Sequence, residues 1–158
     1  MDYFQGVVTE FLRANRSTFV NTECLIQLSP GDAPSKGAHW YCDAVAVNFA
    51  ERSVHLCEVT YSATLHALLT RLSAWASNWQ GVRVALQRDC GIPEDWSVCP
   101  WVFIPQDREP LLLKKLSLFD PMVGEAAMPT PRIKYLEEIV PWKYKSWDRK
   151  LEALEDEN

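Results

Sequence analysis

At 158 residues, 47% hydrophobic and 23% charged, the chain has the composition of one ordinary globular domain (residues 1–158), long enough to bury a proper core. Its net charge of −5 argues against a protein that coats nucleic acid non-specifically, because such binding rests on phosphate neutralisation by Lys and Arg; a local basic groove stays compatible. No run approaches the ~20 apolar residues of a spanning helix. Met1-Asp2 opens neither a basic nor an apolar leader, so a cytoplasmic protein without a membrane partner is expected.

The five cysteines are odd in number and lack C-x-x-C spacing, which points to reduced thiols rather than a zinc cluster or a disulfide framework. Cys24, Cys42 and Cys57 fall in apolar runs, where a thiol behaves as a small core hydrophobe.

In chain order, Phe4, Val7, Val8, Phe11 and Leu12 mark an amphipathic helix over residues 2–15. Residues 22–28 read as a first strand and 29–37 as a loop rich in Pro, Gly and Ser. Two strands follow, 39–49 and 53–60. Leu65, Leu68, Leu69, Leu72, Trp75, Ala76 and Trp79 then form one helical stripe over 64–80, which places both tryptophans in the core. Gly81 is the expected interruption. Val82, Leu86 and Cys90 suggest more helix, with an alternating strand over 82–86 as the competing reading. Gly91-Ile92-Pro93 is a helix stop. A buried strand over 98–104 and a helix over 109–118 come next, and 132–139 fits either helix or strand. The segment Trp142-Lys143-Tyr144-Lys145-Ser146-Trp147 interleaves aromatic and basic residues in a way that suits stacking and phosphate contacts. Beside the acidic tail 152–158 it reads first as a tryptophan-anchored wrap.

The two strands at 39–49 and 53–60 carry the most informative residues. Each holds an acid in an apolar run, Asp43 and Glu58, although carboxylates are depleted from strands and rarely buried alone. A tight connection at Ala50-Glu51 sets Val47 opposite Val54, Val45 opposite Leu56 and Asp43 opposite Glu58. Directly opposed residues share a face, so both carboxylates come together with Thr60 two positions along. His55 and Cys57 then take the opposite face, as a buried histidine beside a buried thiol.

The order helix, strand, hairpin, helix, strand, with Asp43 on one hairpin strand and Glu58-Val59-Thr60 on the next, resembles the core of the PD-(D/E)xK nuclease superfamily over residues 2–105. The resemblance implies an α/β, restriction-endonuclease-like αβββαβ core. It has a central mixed sheet flanked by helices, plus a C-terminal extension over 106–158. It also implies Mg²⁺ or Mn²⁺ held by Asp43 and Glu58 for phosphodiester hydrolysis in nucleic acid, with the metal acting as Lewis acid and activating a water. Thr60 stands where the family has its catalytic lysine. Glu10, about 60° from Val7 on a helical wheel, is the candidate third acid from the first helix. Arg71, on the flank of the second helical stripe, is the candidate relocated basic residue. The rival reading is a catalytically degenerate nuclease-like fold serving as a protein- or nucleic-acid-interaction module.

Overall fold

The computed structural model describes residues 2–30, 37–119 and 126–148. The centre of the Pro/Gly loop and the acidic tail 152–158 lie outside those residues. The described elements form an α/β arrangement around one five-stranded mixed sheet. They run α1 (Tyr3–Arg13), β1 (Thr18–Gln27), β2 (His39–Asn48), β3 (Ser53–Val59), α2 (His66–Ser77), α3 (Trp79–Cys90), β4 (Ser97–Ile104), α4 (Glu109–Leu116) and β5 (Arg132–Tyr135).

The strands lie in the order β1-β2-β3-β4-β5. β1, β2 and β3 are successively antiparallel, while β3, β4 and β5 are parallel. The antiparallel part needs only hairpin connections; the parallel step from β3 to β4 needs a crossover, which α2 and α3 provide. Helices cover both faces. Val8 and Leu12 of α1 pack with Ala44, Ala46, Cys57 and Phe103 on one side. Leu72, Trp75, Val82 and Leu86 of α2 and α3, with Leu112 of α4, pack on Val45, Val54, Leu56 and Val102 on the other. β3, flanked by strands on both sides, is buried along Ser53–Glu58, as a strand covered on two faces must be. Among the described residues no helix is long and apolar enough to cross a membrane.

The β2–β3 register is the one expected from a tight connection at Ala50-Glu51, Val47 with Val54 and Val45 with Leu56. Its turn is longer than expected. The ladder closes at Asn48 and Ser53, and the four residues between them make the connection with Arg52 at φ 52°. Asn48 Oδ1 accepts from the Glu51 N–H at 2.9 Å, which stands in for a favoured turn sequence.

Other boundaries differ from the sequence expectation. β1 starts four residues earlier, at Thr18, and at Glu23 the backbone turns left-handed (φ 51°), interrupting its pairing with β2 between Thr22 and Cys24. The long apolar stripe is two helices, broken at Asn78 rather than Gly81. The Asn78 backbone leaves the helical region (φ −124°), and its Nδ2 donates to Ala74 O at 2.8 Å. Gly81 sits inside α3, where a β-carbon would meet Leu28 Cδ2 at 3.0 Å. The alternative strand over 82–86 does not form. Gly91 ends α3 at φ 69°, and Ile92 beyond it is buried. Residues 132–135 are strand, followed by a 3-10 turn over Leu136–Glu138. The C-terminal segment does lie against α1, but through Tyr144, whose ring meets Phe11 at 5.1 Å. Trp142 and Trp147 stay exposed, Trp147 under the Arg16 guanidinium.

Candidate functional site

Asp43 and Glu58 meet where the β2–β3 ladder stops. Its last pair at this end is Ala44 with Cys57. Beyond it the side chains replace the backbone: the Asp43 N–H donates to Glu58 Oε2 at 3.2 Å, and the Val59 N–H donates to Asp43 Oδ2 at 2.9 Å. The two strands therefore fork around a pair of carboxylates. The expectation that Asp43 directly faces Glu58 becomes a crossed arrangement in which each acid satisfies the neighbouring strand's main chain.

Each remaining oxygen has a partner from a helix. Gln5 Nε2, in the first turn of α1, donates to Asp43 Oδ1 at 3.0 Å. Gln5 is placed for this by the capping box it makes with Asp2. Arg71 Nη1, on α2, donates to Glu58 Oε1 and also to Tyr41 O, the latter at 2.8 Å. Glu58 is 4% exposed and Asp43 partly buried. Together with Thr60, Ala67, Leu68 and Arg71 they line a cavity of about 210 Å³.

The electrostatics follow from the burial. One guanidinium faces two carboxylates. Burial, reinforced by the Asp43 charge, outweighs the pull of Arg71 and raises the Glu58 pKa from its ordinary 4.5 to about 8. Once Glu58 gives up its proton, as a bound cation requires, each of the four oxygens accepts one hydrogen bond and keeps a lone pair free. Hard oxygen donors, adjacent and short of positive charge, suit Mg²⁺ or Mn²⁺. The two acids thus fit such an ion as part of its coordination shell.

The other anticipated residues are placed differently. Thr60 lines the cavity, but its Oγ1 accepts from the Ser62 N–H at 3.1 Å and so serves the turn after β3. Glu10 is not brought to the pair: its side chain is 72% exposed and lies 3.9 Å from Arg13. Among the described residues no group of three His, Cys, Asp or Glu side chains is gathered to hold a metal. Sequence reasoning missed Gln5; the Asp2-x-x-Gln5 capping pattern marks that side chain at the start of α1 but says nothing of its reach to Asp43. On the opposite face, burial drives the Cys57 thiol well above its usual range, which removes any thiolate nucleophile there.

No family model, no curated protein and no solved structure matches this chain.

Proposed function

We propose that the chain is a nuclease-like protein of the PD-(D/E)xK kind. In this reading Asp43 and Glu58 bind Mg²⁺ or Mn²⁺, and the protein hydrolyses phosphodiesters in nucleic acid. The observation that carries the reading is the pair of carboxylates at the β2–β3 fork, lining a cavity with a single guanidinium against them. Support also comes from the chain order, α1 then three antiparallel strands then a helical crossover to a parallel strand, with the acids on β2 and β3. The restriction-endonuclease-like core is part of the same proposal.

A bound divalent ion would supply Lewis acidity and a more acidic water. The chain's own residues do the rest. Gln5 and the Val59 N–H hold the Asp43 carboxylate in place. Glu58, buried and fixed by the Asp43 N–H, offers the second carboxylate. Arg71, with its side chain 30% exposed, can turn from Glu58 to brace a phosphate oxygen, although an arginine cannot serve as base near neutral pH.

A second reading, the same fold as a non-catalytic module for nucleic acid or protein, is favoured by Thr60. Its hydroxyl is committed to the Ser62 N–H, so the lysine position contributes neither charge nor base. One experiment separates the two. Calorimetric titration of Mn²⁺ into wild type and Asp43→Asn is run beside nicking of plasmid DNA and of single-stranded RNA. The first reading expects saturable binding at millimolar metal or below, with binding and nicking lost together in Asp43→Asn. Binding without nicking selects the second reading, and no binding at millimolar metal overturns the metal site.

A further inference from the structure

A second cavity, of about 280 Å³, lies on the opposite face of the sheet, between α1, the strands and the C-terminal segment. Arg132, on edge strand β5, is in register with Trp101 on β4, and its guanidinium sits 4.1 Å from the Trp101 ring centre. The same guanidinium contacts His55 Nε2 at 3.0 Å. A guanidinium cannot accept a hydrogen bond, so Nε2 is the bare ring nitrogen and Nδ1 carries the proton. Burial first, then the Arg132 charge, lowers the His55 pKa to about 4, in keeping with a neutral ring.

Three features give this cavity the character of an anion site. First, Arg132 spends one donor on His55 and makes no ion pair among the described residues, which leaves a cation with uncommitted donors. Second, Lys145 lines the same space against a single acid, Glu51, so the lining is net positive in a chain of net charge −5. Third, the wall is aromatic, with Trp101, Phe11 and Tyr144 around the polar groups. Asn48 and Thr18, hydrogen-bonded to each other, also line it. The uncommitted guanidinium N–H groups of Arg132 and the Lys145 ammonium are more donors than the two oxygens of a carboxylate need. They match the three terminal oxygens and near-double charge of a phosphomonoester.

We propose that this cavity binds a small phosphomonoester carried on a planar ring, its phosphate held by Arg132 and Lys145 and its ring against the aromatic wall. The site is independent of the acid pair, which opens on the other face. Phenyl phosphate is the probe, titrated into the full chain and followed by amide, indole and imidazole NMR shifts. Saturable shifts at Trp101 and His55 are expected, and benzoate should bind at least about tenfold more weakly. Arg132→Gln should weaken phenyl phosphate by at least about tenfold, as loss of a charge-assisted hydrogen bond requires. The exposed Lys145→Gln should weaken it several-fold with the fold unchanged, while Asp43→Asn leaves it unaffected. AMP and a 5′-phosphorylated tetranucleotide then distinguish a free nucleotide from a nucleic-acid end, and tight binding of either supports the site. Equal binding of benzoate and phenyl phosphate, no saturation at millimolar probe, or unchanged affinity in both Arg132→Gln and Lys145→Gln overturns it.

Discussion

Glu58 and His55 are buried on opposite faces of the same strand and titrate in opposing senses. The Glu58 carboxyl, raised from 4.5 to about 8, binds its proton more tightly folded than unfolded, so it withdraws stability as pH rises across that interval. The His55 imidazole, lowered from 6.5 to about 4, does the reverse: the unfolded state takes the proton first, and stability from this group is lost as pH falls from 6.5 to 4. For these two groups the wild type is nearly level between 4.5 and 6.5 and declines from 6.5 to 8. Glu58→Gln should remove the decline, raising stability at pH 8 by on the order of a few kcal/mol, and expose the rise below 6.5. Denaturant midpoints at pH 5, 6.5 and 8 in EDTA check this; an unchanged pH profile in Glu58→Gln would contradict it. Arg71 was legible beforehand as a charge on the flank of an apolar stripe, because wheel position alone sets that. Gln5 was not, because its reach to Asp43 depends on how α1 docks over the fork.

The helical crossover shows what periodicity can and cannot carry. Trp75 and Trp79, four apart on one stripe, are both buried as the stripe implies, although they belong to different helices. Trp75, fully buried between sheet and helix, should cost about 3–5 kcal/mol as Trp75→Ala, read as a lower denaturant midpoint at unchanged slope. At the far end, Gly91→Ala should cost about 1 kcal/mol by thermal melts, since alanine must adopt φ 69° with no new contact to compensate. The break at Asn78 escaped the sequence reading because the apolar spacing continues through it; only a side chain folding back on Ala74 O marks it. The register of β2 with β3 was read from a tight turn that proves longer, and packing is what holds it. With both faces packed, a slip of one residue would move every side chain to the wrong layer. The first half of β1 alternates between exposed and half-buried positions, so no apolar pattern announces it.

At the scale of the molecule, a cation held by Asp43 and Glu58 would join β2 to β3 at the fork and stabilise the folded state by linkage. Mn²⁺ at a hundredfold excess over its dissociation constant should add ~2.7 kcal/mol, an upward shift of about 5–10 °C in melting temperature. Asp43→Asn should show no shift, and an equal rise in both proteins would assign the effect to a different site. The left-handed residue at Glu23 bears on how the sheet meets other chains. β1 is a ten-residue strand at the sheet's edge, and an uninterrupted edge of that length is a template for another strand. With the backbone turned at its sixth residue, β1 keeps one register with β2 but pairs in two shorter runs, Thr18–Thr22 and Cys24–Gln27. A strand arriving at that edge therefore meets two short runs rather than ten residues in line, a weaker template for fibrous stacking.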